Sequence, residues 1–143
     1  MAKPDNFKVI IAGGSITGLT LANALERAGI DFILLEKRQI APDLGASISL
    51  LCHNSRVYEQ LGVVDLLNAE TVPLLERLHF TDGKYMYADS GMLKSILAKT
   101  QRPYRFMERR FHLQTLYDNI RDKSKICVKV RVVSHGPDKA IPN

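Results

Sequence analysis

"IIAGGSITGLTLANALERAG", residues 10–29, opens on an apolar run, turns through glycines and continues with apolar residues at helical spacing. Phe7 to Ala12 reads as a fully buried parallel strand. Ile16 to Ala28 reads as a helix with Leu21, Ala22, Leu25 and Ala28 along one face, and Gly29 stands where a left-handed C-cap belongs. "DFILLEK" (31–37) then predicts a second strand with Glu36 at its carboxyl end. Strand, helix, strand over this length is a βαβ unit with a right-handed crossover. At such a turn Gly13 allows the tight bend, the next positions let backbone approach a pyrophosphate, and Gly18 lets helix and strand pack closely. The helix N-terminus near Ser15 offers free N–H groups and the positive end of a dipole. Glu36 falls about twenty residues on, where a carboxylate accepts from adenosine ribose hydroxyls. Ser15 takes the place of the middle glycine, with Gly14 before it and a hydroxyl able to donate to a phosphate. A glycine-rich turn with no nucleotide is the alternative that the pattern leaves open.

Outward from this unit the chain loosens. "DLGASISLLCHNS" (43–55) is a small-residue segment able to pass close to a ligand. "SRVYEQLG" predicts a short helix capped by Asn54 or Ser55 and stopped at Gly62, and "VVDLLNAE" another helical turn or two. "RLHFTDGKYMYAD" is a hairpin, with Asp82-Gly83 supplying a type I′ turn. Tyr104 to Met107 reads as a further strand. Arg109 to Ile120 reads as a helix with Leu113, Leu116, Tyr117 and Ile120 on one face. "KICVKVRVV" is the last strong strand, and the segment from 135 to 143 is an irregular tail. The expected fold class is α/β with a small antiparallel hairpin insertion, in one domain over 1–134.

Bulk properties narrow the function. The 143 residues suit one domain, and the hydrophobic share of 45% with 24% charged residues is that of a globular chain. The net charge of +5 favours anionic ligands, but no aromatic-plus-basic platform points to nucleic acid. Two cysteines, Cys52 and Cys127, make no disulfide framework, so a reduced, cytoplasmic setting is expected. The start lacks a signal-peptide core and no run is long enough to span a membrane. Cys52, His53, His79, His112 and His135 form no metal motif, and Cys127 reads as a packing cysteine.

The segment "VIIAGGSITGLTLANALERAGIDFILLEKR" (9–38) closely resembles the N-terminus of fungal FAD-dependent monooxygenases of the PaxM type, within the class A flavoprotein hydroxylases. The resemblance continues through "APDLGASISLL", "YEQLGVVDLL", the Asp-Gly hairpin, "RRFHLQTLYDNI" and "DKSKICVKVRVVS", from Phe7 to Ser134. In that family Gly-Gly-Ser is usual in the loop. The resemblance implies a Rossmann-like, glutathione-reductase-like FAD-binding fold, incomplete relative to the family. It places Gly13, Gly14, Ser15 and Gly18 on the FAD pyrophosphate, Glu36 on the adenosine ribose, Ser49 in a loop passing the cofactor, and Arg109 on the flavin cofactor.

Family enzymes are longer, and the part without counterpart carries a further FAD-contacting motif and most of the substrate domain. The expectation is therefore a truncated monooxygenase-like chain of polyketide or terpenoid secondary metabolism, holding FAD by its ADP moiety. It would use NAD(P)H only where a complete active site is assembled, and act on a small-molecule intermediate. Where the family has glycine and Pro-Asn-Gly, this chain has Ser49 and Cys52, His53, Asn54. That departure supports an alternative, a flavin-independent isomerase or cyclase with His53 as acid or base in the emptied pocket. In the family fold the first strand would also lack one neighbour, leaving an open edge for a homodimer or an assembly partner.

Overall fold

The computed structural model describes residues 7–43 and 46–133, so the expected tail at 135–143 lies outside the described residues. The chain opens with β1 (Lys8–Ala12), α1 (Ile16–Arg27) and β2 (Asp31–Glu36), and the two strands pair in parallel with Ile10 opposite Ile33. β8 (Ile126–Val128) joins the far side of β2, also in parallel, giving the order β1-β2-β8. The βαβ unit ends α1 as its glycine predicts. Gly29, at φ +64°, donates to the Glu26 carbonyl, and the Ile30 N–H reaches back to the Leu25 carbonyl at 2.9 Å, which is a Schellman motif.

The strand β1 departs from expectation. Ile11 is buried, but Ile10 is 67% exposed and Phe7 60%. Parallel strands are usually covered on both faces. Here the helices cover only the face bearing Val9, Ile11, Phe32 and Leu34, which belongs to the core with Leu19 and Leu116. The helix face differs from the predicted one in part: α1 buries Gly18, Leu19, Ala22 and Asn23 and packs Leu25 against the core, whereas Leu21 is exposed.

A second sheet, in the order β3-β7-β4, is antiparallel. It is made of β3 (Ser47–Leu50), β4 (Pro73–Leu74) and β7 (Tyr104–Glu108), with Ser49 opposite Phe106. Ser49 therefore stands on a strand, not in a loop. Between β3 and β4 lie α2 (Cys52–Leu61) and α3 (Val64–Ala69). α2 starts before Asn54 and Ser55, with Leu51 as N-cap, and it stops at Gly62 as read.

The hairpin of β5 (Arg77–Thr81) and β6 (Lys84–Asp89) turns through Asp82 and Gly83, both at positive φ. A helix that the sequence reading passed over, α4 (Gly91–Thr100), leads into β7. α5 (Arg109–Asn119) follows β7 and packs on α1. Asn23 binds the two helices together from within the core. Its amide donates to the Leu19 and Leu116 carbonyls at 2.8 and 2.9 Å, and its oxygen accepts from Asn119 at 2.8 Å. The last strand is shorter than "KICVKVRVV" predicts. A 3-10 turn occupies Lys123–Lys125, and Lys129 takes a φ of +62° that ends β8.

Candidate nucleotide site

The loop after β1 is constrained at each small residue. Gly13 has a φ of +111°, and its N–H donates to the Leu35 carbonyl at 2.8 Å. That bond ties the loop to the end of β2. A Cβ on Gly18 would stand 1.9 Å from the Gly13 carbonyl oxygen, so the helix can approach the turn only without a side chain there. A Cβ on Gly14 would meet the Ile40 Cδ1 at 2.5 Å and the Glu36 Cβ at 3.2 Å.

Ser15 is the N-cap of α1, extended at φ −80° and ψ 179°, and its hydroxyl makes no capping bond. The exposed hydroxyl and the unsatisfied N–H groups of the first turn lie together at the positive end of the helix dipole.

Glu36 is held in place before any ligand arrives. Its carboxylate accepts from the Gly14 N–H at 2.6 Å through one oxygen and from the Arg38 N–H at 2.8 Å through the other. A carboxylate has about four lone-pair sites, so both oxygens keep capacity for a pair of hydroxyl donors.

Beyond Glu36 the segment after β8 crosses the end of β2. Val130 donates to the Glu36 carbonyl at 3.0 Å and Lys129 to the Arg38 carbonyl at 3.3 Å. Between this crossing and the glycine loop lies a cavity of about 270 Å³, walled by Ala12, Gly13, Leu35, Glu36 and Lys37 and by residues 130–132.

The remaining expected residues stand elsewhere. Arg109 is the first residue of α5, half-buried, and its N–H donates to the Ala46 carbonyl at 2.8 Å. It lines a separate cavity of about 170 Å³ with Pro42, Asp43, Ser47 and Glu108. Arg110 closes one side of that cavity through an ion pair to Asp43 at 3.2 Å. Ser49 is exposed, further along β3, and lines neither cavity. His53 is exposed in the first turn of α2 and lines neither as well. The structure thus brings Gly13, Gly14, Ser15, Gly18 and Glu36 together, sets Arg109 at a second position, and leaves Ser49 and His53 apart from both.

Two features escaped the sequence reading. The first is the wall formed by Val130 and Arg131, which depends on the backbone reversal at Lys129. The second is His112, which is 2% exposed, with neither ring nitrogen hydrogen-bonded among the described residues. Its ring meets Tyr58 edge-on, with centroids 5.2 Å apart. Burial, assisted by the Arg109 guanidinium, pushes its pKa down to about 4, so the imidazole is neutral at pH 7. Its four-residue spacing from Leu116 was the available signal of a core position. Among the described residues no cluster of three or more His, Cys, Asp or Glu forms a metal site, and no helix is long and apolar enough to cross a membrane.

Comparison with known proteins gives the family and the fold. The profile of the FAD binding domain family matches residues 6–132. The FAD-dependent monooxygenase dpchE of Colletotrichum higginsianum is 46% identical over 134 residues, which are 92% of this chain and 28% of that protein. The FAD-dependent monooxygenase spyC of Aspergillus fumigatus is 46% identical over 136 residues, 93% of this chain and 28% of that protein. Among solved structures, the tetrameric form of 2-methyl-3-hydroxypyridine-5-carboxylic acid oxygenase superposes with a TM-score of 0.77 at 26% identity, covering 93% of this chain and 34% of that one. The chain therefore spans under a third of the length of these two curated relatives. A glycine turn that excludes side chains, a carboxylate fixed at the end of the second strand and a matching profile over most of the chain make it a member of the FAD binding domain family, with the mixed α/β fold of FAD-dependent monooxygenases.

Proposed function

We propose that the chain binds FAD through its ADP moiety and forms the nucleotide-holding portion of a monooxygenase acting on a small-molecule intermediate of polyketide or terpenoid metabolism. The observation that carries this reading is the Glu36 carboxylate, fixed by the Gly14 N–H at 2.6 Å beside the open cavity of about 270 Å³. The residues present fit the group: open space around Gly13 in a turn that Gly14 and Gly18 let close tightly on the strand and helix, a free Ser15 hydroxyl, and a carboxylate with unused acceptor capacity. Gly13, Gly14 and Ser15 would receive the pyrophosphate at the N-terminus of α1. Glu36 would accept from the ribose hydroxyls. Arg109, from its own cavity, would neutralise negative charge nearer the flavin end, with Ser49 further along β3.

Bound FAD would supply the redox chemistry. The chain's own contribution is to bind and orient it. Hydroxylation, with NAD(P)H as reductant, is proposed for a site completed by further polypeptide, in keeping with the share of the relatives that this chain spans. A cytoplasmic setting belongs to the same proposal. Calorimetry with FAD and with ADP, alongside a flavin absorption spectrum, tests it. Saturable binding of both is expected. No binding of either at roughly millimolar ligand, a ceiling of about −4 kcal/mol, would overturn it.

A second reading rests on the sheet. Among the described residues β1 is paired on one side only, and Phe7 and Ile10 are 60% and 67% exposed along it. We propose that this edge pairs with a second copy of the chain. Light scattering on a size-exclusion column should give a dimer mass, and Ile10→Lys should convert it to monomer. A wild-type monomer at every concentration would remove this reading. No comparable observation favours the isomerase or cyclase alternative, since His53 lines neither cavity of the candidate site.

A further inference from the structure

The sheet order lays out the nucleotide strand by strand. The glycine loop follows β1, Glu36 ends β2, and residues 129–132 follow β8, which pairs with β2 on the side away from β1. Neighbouring strands lie about 4.8 Å apart. On the nucleotide reading above, phosphates over the end of β1 and ribose over the end of β2 leave the base over the end of β8. Arg131 lies on the segment that runs from β8 across the end of β2, and it lines the cavity that Glu36 also walls.

Among the described residues no ion pair or hydrogen bond engages the Arg131 side chain, although the Glu36 carboxylate borders the same cavity. Glu36 instead spends its bonds on backbone N–H groups. Leu35, Val130 and Val132 are apolar walls of the same cavity, and Lys37 is its second cation. A planar, weakly hydrated guanidinium among apolar walls is suited to lie against the face of an aromatic ring. The left-handed φ of Lys129 is what carries the chain across β2 and delivers Arg131 to this wall.

We infer that Arg131 is a specificity residue that stacks on the base of an adenine nucleotide and sets the preference for a purine. It deepens the nucleotide reading and depends on it. The test is calorimetry of ADP and UDP against the whole chain and the Arg131→Gln variant. Arg131 is exposed, so melting should be unchanged. The variant should lose about two- to fivefold in ADP affinity, the worth of an exposed cation–π contact, while UDP, with its smaller ring, loses less. An equal loss for ADP and UDP would mean that Arg131 serves the phosphates, and would overturn the assignment. So would ADP binding as tight as that of the unaltered chain. If the unaltered chain binds neither nucleotide, the nucleotide reading falls and the assignment with it.

Discussion

The glycine loop after β1 and the hairpin turn between β5 and β6 are both short reversals that rely on glycine in a left-handed or related conformation. At the hairpin, a Cβ on Gly83 would meet nothing within 4 Å. At the loop, a Cβ on Gly18 would stand 1.9 Å from the Gly13 carbonyl oxygen. The hairpin asks only for a backbone conformation. The loop asks for empty space, because strand, turn and helix close on one another there. What separates a turn that connects from a turn that builds a site is the packing around it, and both look alike as residue types.

Four measurements press on that contrast, in decreasing order of effect. Gly18→Ala should destabilise the chain by about 3 kcal/mol, read as a lower midpoint in urea, because backbone and not a flexible side chain must give way. An unchanged midpoint would show that loop and helix separate without cost. His112 tests the packed region by pH. Its folded pKa of about 4 lies below its ordinary 6.5, so the unfolded chain binds more protons between those values. The stability it contributes is present above pH 6.5 and is lost as pH falls towards 4, a change on the order of 3 kcal/mol. His112→Leu should flatten this slope in melting experiments, and a slope that persists in the variant would refute burial as its source.

Glu36→Gln replaces an acceptor-only carboxylate with an amide that must turn a donor towards the Gly14 or Arg38 N–H. ADP affinity should fall about tenfold, whereas equal affinity would show that the carboxylate touches no ligand. Gly83→Ala is the mild counterpart. Forcing a Cβ into a φ of +75° should cost about 1 kcal/mol in thermal melts. A loss as large as that of Gly18→Ala would erase the distinction between the two turns.

The topology most legible in the sequence was that of the βαβ unit, whose partners are near in the chain; β7, α5 and the last strand were legible as elements but not in their pairing. The βαβ unit pairs residues about twenty apart, and periodicity, the glycines and Glu36 all point to it. β3 was read as a loop because its partner lies far along the chain: Ser47 pairs with Glu108, and nothing in "GASISLL" announces that contact. The full burial expected of β1 failed because, among the described residues, one face of the sheet has no helix over it, and composition cannot say which faces are covered. In the site, Glu36 and the glycines were legible as chemistry. Arg131 was not, since its placement follows from one unusual backbone angle at Lys129. His112 was invisible as a perturbed group because burial, not sequence neighbourhood, is the main cause of its shift.

The sheet order also governs how the backbone trades protons with solvent. Over Leu34, Leu35 and Glu36 β2 has β8 on its second side, so amides on either side of it there face a neighbouring strand, whereas among the described residues β1 pairs on one side only and turns every second amide towards its other edge. Under deuterium, residues 34–36 of β2 should therefore retain their protons as a block, and β1 should show an alternation of slow and fast residues. The three strands of this sheet would then be distinguishable by isotope uptake alone, with the strand beneath the Glu36 carboxylate as the slowest of them.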